Sequence, residues 1–133
     1  MARTIHCSIL TPEKAVFEGD AEAVYMTVYD GECGILPGHA PMVAQLGIGP
    51  VRLVNGAHTA VFEVEGGFAE VTGKGVILLA EEAMKKEELS ERHIRAELDE
   101  LSAMQRPENR TDAARYDRIL KRLRSRLKVA TRQ

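Results

Sequence analysis

Over the first 80 residues, apolar and polar positions alternate with period two. Ile5, Cys7 and Ile9 share one face of a candidate strand, and Val24, Met26 and Val28 share one face of another. Such alternation predicts strands with a single buried face. In residues 51–67, VRLVNGAHTAVFEVEGG, two alternating runs flank Asn55-Gly56, the pair that most readily closes a type I′ hairpin. FAEVT and, beyond Gly73-Lys74-Gly75, VILLA supply further strands. Turn residues thus recur every 8 to 12 positions or so, which suggests an antiparallel sandwich or a flattened barrel.

At Glu81 the period changes. From about Glu87 onward Leu89, Ile94, Leu98, Leu101 and Met104 follow helical spacing, until Pro107 forbids continuation. A second helix is predicted to start with Thr111 or Asp112 as its cap and to carry Tyr116, Leu120, Leu123, Leu127 and Ala130 at steps of four and three. The reading is α+β in two parts, residues 1–84 and residues 85–133, the second an antiparallel two-helix hairpin. Each helix has a narrow apolar stripe, so the same stripes can pack on each other or on a partner at similar free energy.

Charge sharpens this division. The net charge is −2. Residues 1–80 carry four basic and nine acidic side chains, whereas residues 112–133 carry eight basic and two acidic. A basic arm therefore follows an acidic body, and an acidic protein surface suits it better than a nucleic acid that the body would repel. Aromatic residues make up 5% of the chain and Trp is absent, which disfavours base-stacking platforms. No segment reaches the roughly 20 apolar residues that span a bilayer, and no secretory signal is visible, so no direct membrane insertion is expected.

Candidate chemistry is sparse. The four histidines, His6, His39, His58 and His93, fall in separate elements without metal-ligand spacing. Cys7 and Cys33 form neither a C-x-x-C nor a zinc pattern, and are read as a reduced, structural pair. Gly-Lys-Gly at 73–75 lacks the rest of a phosphate loop, which makes Lys74 a turn residue. A hydrolase built on Cys33 and His39 has no base placed by the sequence. No catalytic residue, metal or cofactor is assigned on this reading. One competing function is a free-standing sandwich whose basic helix docks on an acidic protein or on anionic lipid.

The most specific stretch is GECGILPGHAP, residues 31–41, where three glycines can take positive φ while Pro37 and Pro41 fix φ and hold Leu36 and Ala40 extended. Together with DGECGILPGHAPMVAQLGIGPVRL around it, GGFAEV and VILLAEEA, it closely resembles the epsilon subunit of F-type ATP synthases, over residues 5–127. The resemblance implies a ten-stranded sandwich bound to the gamma subunit on one side and to the polar loops of the c-ring on the other. It implies a non-catalytic rotor subunit that couples proton flow to ATP synthesis, peripheral on the cytoplasmic face of the membrane or its organellar equivalent. It also implies that Asp30, Glu32 and His39 offer polar contacts to the ring, and Ile35 and Leu36 apolar ones.

By the same resemblance the hairpin regulates, extending along gamma into the alpha/beta hexamer to block ATP hydrolysis. Arg115, Arg118, Arg122 and Arg126 then meet an acidic segment of a catalytic beta subunit. Some members bind ATP through an I/L-D-x-x-R-A motif on the first helix. Here the stretch is LSERHIRA: Leu89 matches, Ser90 replaces the aspartate, and His93-Ile94 stands where Arg-Ala is expected. That departure argues against ATP sensing, for which Arg92, Arg95 and Arg122 would be the cations to test.

Overall fold

The computed structural model describes residues 3–132, and alternation becomes ten strands. These are β1 (Ile5–Leu10), β2 (Ala15–Ala21), β3 (Ala23–Val28), β4 (Gly31–Ile35), β5 (Met42–Gln45), β6 (Ile48–Asn55), β7 (His58–Glu65), β8 (Phe68–Thr72), β9 (Gly75–Leu79) and β10 (Glu82–Lys85). One 3-10 turn, Lys86–Glu88, leads to helices α1 (Glu91–Ala103) and α2 (Arg110–Ala130).

The strands form two five-stranded sheets, in orders β2-β1-β9-β8-β5 and β10-β7-β6-β3-β4. The sandwich is antiparallel except at β1 and β9, which pair in parallel with Cys7 opposite Val76 and Ile9 opposite Leu78. The period-two residues meet between the sheets: Cys7, Ile9, Val24, Met26, Val51, Leu53, Phe62, Val64 and Leu78 are all buried there. Phe17 and Phe62 pack edge to face across the layers, ring centroids 5.6 Å apart. Burial pushes the Cys7 thiol up to about 12. Both cysteines are free, Cys33 half-buried against the core.

The β6–β7 hairpin turns one residue later than the sequence suggests. Asn55 pairs with His58, so Gly56 and Ala57 are the central residues. Gly56 has φ +57°, and no non-glycine residue has positive φ among the described residues. A type I′ turn needs positive φ at both positions, so glycine first and alanine second fits type II′ instead. Asn55 is left free to donate its side-chain amide to the Asp20 carbonyl at 2.8 Å.

The helices also start differently. α1 begins after Ser90, whose hydroxyl accepts from the His93 N–H at 3.3 Å, rather than near Glu87. Leu89 lies before the cap and joins Ile94 in the hairpin core, a hydrophobic staple that explains why it matched the helical stripe. Met104 is the C-cap and 59% exposed, outside the stripe. For α2 the cap is Asn109, not Thr111 or Asp112; its side-chain oxygen accepts from both of their N–H groups, at 2.9 and 3.2 Å. Tyr116, Leu120, Leu123, Leu127 and Ala130 all join the seam between the helices, with Ile119 beside them. Among the described residues this seam has three buried members against seventeen in the sandwich core.

Candidate functional site

Three surfaces carry the candidate residues. The first is the loop after β4. The Leu36 carbonyl accepts from the His39 N–H at 3.0 Å, and Gly38 has φ +90°. Pro at the second position and a left-handed Gly at the third make a type II turn, so the sequence Leu36-Pro37-Gly38-His39 dictates its own geometry. His39 Nδ1 lies 2.6 Å from the Ala40 carbonyl and so donates to it. Gly34 does not take positive φ; a Cβ there would sit 3.0 Å from the Tyr25 ring. Arg52 stacks on that ring at 4.5 Å and donates to Glu32 at 3.3 Å.

Asp30, Glu32, Leu36 and His39 are exposed, with Leu36 at 54%. Ile35 is not: at 1% exposure it belongs to the core, opposite Val24, and offers no surface to a partner. Strand alternation explains the correction, because Ile35 is the last inward position of β4 and Leu36 the first residue beyond it.

The second surface was not read from the sequence. On the outer face of the β2-β1-β9-β8-β5 sheet, Phe68 opposes Leu79 and Glu70 stands between Ile77 and Val43. All four apolar side chains are exposed, at 41% to 71%. A shallow hollow lined by Leu10, Pro12, Leu79 and Ala80 extends the row. Scattered apolar residues need no explanation, but four exposed together on one uncovered sheet face, interrupted at Glu70, have the pattern of an interaction face. Its signal lay in VILLA, which does not alternate: a strand apolar on both faces is a strand covered on both.

The third surface is the outer face of the other sheet, which α2 covers through β6 and β7. Glu63 and Glu65 point outward from β7, yet are 1% and 5% exposed. Arg122 and Arg126, one helical turn apart on α2, descend onto them. Arg122 Nε donates to Glu65 at 2.9 Å. Arg126 Nη2 donates to Glu65 at 3.3 Å and to Glu82 of β10 at 3.2 Å, and its Nε lies 3.5 Å from Glu63 Oε1. That last distance is long, and neither atom has a hydrogen-bond partner. Burial, then the neighbouring Glu65 charge, pushes the Glu63 carboxyl up to about 8 against the opposing pull of Arg126.

Two of the four predicted partner-binding arginines, Arg122 and Arg126, are thus engaged within the chain, while Arg115 and Arg118 are exposed. The three cations considered for ATP do not share a surface. Arg122 faces the sheet, whereas Arg92 and Arg95 lie on the exposed side of α1, Arg95 tied to Glu91 at 3.0 Å. Among the described residues, no group of His, Cys, Asp and Glu side chains could hold a metal ion, and no helix is long and apolar enough to cross a membrane.

A sandwich of this topology with a docked hairpin can be compared with known proteins. The family model described as ATP synthase, Delta/Epsilon chain, beta-sandwich domain matches residues 4–86. The chain belongs to the ATP synthase delta/epsilon family. The family model ends where the 3-10 turn begins, but full-length relatives extend through the hairpin. The ATP synthase epsilon chain of Halalkalibacterium halodurans is 37% identical over 97% of this chain and 98% of its own. That of Bacillus pumilus is 38% identical over 96% and 98%. Among solved structures, a chain of the Euglena gracilis mitochondrial ATP synthase (OSCP/F1/c-ring) has a TM-score of 0.81 at 22% identity, covering 92% of this chain and 78% of that one. A chain of the Tetrahymena thermophila central stalk/c-ring has a TM-score of 0.67 at 15% identity. At such identities the likeness is one of fold.

Proposed function

We propose that the chain is a non-catalytic central-stalk subunit of an F-type ATP synthase, which helps couple proton translocation to ATP synthesis and restrains ATP hydrolysis through its hairpin. The enzyme activity belongs to the assembly and its nucleotide sites to other chains. On this reading the apolar row of Phe68, Ile77, Leu79 and Val43 meets the gamma subunit, and Asp30, Glu32, Leu36 and His39 meet the c-ring loops. A type II turn held by Pro37 loses little entropy on docking, which suits a joint that transmits torque.

The observation that carries the regulatory half is the attachment of α2. Its own seam with α1 has few buried residues, and on the sheet side a buried Val129 is accompanied by the ion pairs of Arg122 and Arg126 with Glu65 and Glu82. Arg122 and Arg126 sit in an acidic cradle inside the chain, and an acidic segment of a catalytic beta subunit offers the same chemistry, joined there by Arg115 and Arg118. An element with two comparable partners has two states.

The test is ATP hydrolysis by the cognate catalytic complex lacking this subunit, titrated with the full chain and with one ending at Lys86. The full chain is expected to inhibit, and the shorter one to bind without inhibiting. Binding by both without inhibition would reduce the subunit to a structural joint, and binding by neither would overturn the proposal.

A further inference from the structure

We propose that Glu63 carries a proton while the hairpin is docked and gives it up on release, so that rising pH loosens α2 from the sheet. The inference deepens the regulatory reading above and rests on it for its consequence; its chemistry rests on the docked interface alone.

The charged groups around Glu63 are few. On its own strand there is Glu65; β10 contributes Glu82, β6 contributes Arg52, the 3-10 turn contributes Lys86, and α2 contributes Arg122 and Arg126. Its cross-strand partners, Pro50 and Met84, carry no charge. Arg52 is directed to Tyr25 and Glu32, and Lys86 stands beside Glu87 at the hollow lined by Thr59 and Val61, so among the described residues only Arg122 and Arg126 form ion pairs with this cluster. Three carboxylates therefore share two guanidiniums. Glu65 and Glu82 take the short contacts, and Glu63, almost fully buried, keeps only the 3.5 Å approach to Arg126. An ionised Glu63 would leave one uncompensated negative charge under the helix, whereas a protonated one leaves the cluster neutral and can donate to Glu65.

When α2 lifts away, Glu63 faces water on the outer surface of the sheet and its carboxyl returns to the ordinary range. The docked state thus holds the proton more tightly than the released one. Its contribution to docking is complete below the ordinary carboxylate range and is lost as pH rises toward the docked value of about 8. Between pH 6.5 and 9 the ratio of docked to released hairpin should fall about thirtyfold, most of it below pH 8. Under the proposed function, alkalinisation frees the arm that restrains hydrolysis.

Ser125 supplies a reporter, because its hydroxyl is buried between α2 and the sheet with no hydrogen-bond partner. The experiment uses the full chain carrying Ser125→Cys and Cys33→Ser, with a disulfide reagent as probe. The labelling rate, corrected for thiol ionisation, reads the released fraction however small it is. From pH 6.5 to 9 that fraction is expected to rise about thirtyfold with Glu63 present and to change less than twofold with Glu63→Gln. A flat profile with Glu63, or the same rise in Glu63→Gln, overturns the proposal. Should Glu63→Gln fail to fold, the carbon-13 titration of the Glu63 carboxyl in the unsubstituted chain decides: a midpoint near 8 supports the switch and one in the ordinary carboxylate range overturns it. Neither readout needs the rotor complex, so failure here leaves the hydrolysis test standing.

Discussion

The two sheets turn opposite characters outward. One presents Phe68, Ile77, Leu79 and Val43 to solvent. The other presents Glu63 and Glu65 beside Val61, and all three are covered. On hydropathy alone, the face with the more apolar side chains is the one left bare. The difference teaches what each cover is for: the chain spreads its own basic helix over charges that can be neutralised and released, and leaves bare the apolar face that a permanent partner would bury. Apolar burial is non-directional and insensitive to pH, whereas a cluster of carboxylates and guanidiniums is specific, salt-dependent and protonatable.

The comparison predicts a hierarchy of damage. The largest loss is expected between the sheets, where both faces depend on one core. Leu78→Ala, at a fully buried position of β9, should destabilise the sandwich by about 2–5 kcal/mol in chemical denaturation. Next comes the charged cover. Arg126→Ala leaves Glu65 and Glu82 to Arg122 alone, beside a buried Glu63, at a cost of roughly 2–4 kcal/mol that cannot exceed the docking free energy, because release rehydrates the cluster. The expected signature is faster labelling of a Ser125→Cys thiol with an unchanged unfolding midpoint for the sandwich. Simultaneous loss of both would mean that the sheet needs its helix to fold.

On the bare face the effect should move from stability to binding. Phe68→Thr keeps a β-compatible residue on an exposed strand position, so the isolated chain should change by less than about 0.5 kcal/mol. Affinity for the stalk, measured by titration against the complex lacking this subunit, should fall by about 1–2 kcal/mol, roughly five- to thirtyfold. Unchanged affinity would remove that row from the interface.

How much of this was legible in the sequence depended on whether the deciding contact was local. Period two in β1, β3, β6 and β8 and the stripe on α2 reached the fold intact, because strand pleat and helix pitch are set by neighbours. The Asn109 cap and the Gly56-Ala57 turn were misplaced by one to three residues, since several residues in each stretch could serve and only hydrogen bonding chose. Ile35 was assigned to the wrong side at a strand end, where the alternation gives out. The cluster of Arg122 and Arg126 on Glu63, Glu65 and Glu82 was out of reach. Glu63 and Glu65 read as the solvent side of an ordinary alternating strand, and Arg122 lies 57 positions from Glu65, so nothing short of the tertiary fold joins them. VILLA did carry a readable sign of the open face, an apolar strand without alternation, and it pointed to a cover that this chain does not itself provide.

The smallest effect expected is also the control on the charge argument. Arg106, in the loop between the helices, donates twice to Asp117 of α2, at 3.0 and 2.7 Å, so by distance it is as good a contact as any that Arg122 or Arg126 makes with the sheet. The hydrogen bonds from Arg106 hold the Asp117 carboxyl below its ordinary range. Both groups stand in water, however, where screening and side-chain entropy cancel most of such a pair's contribution. Arg106→Ala should therefore return the Asp117 titration to the ordinary carboxylate range while leaving the unfolding midpoint and the labelling of a Ser125→Cys thiol unmoved. If it releases the hairpin instead, short distance rather than burial governs the docking, and the contrast between the two sheet faces loses its physical basis.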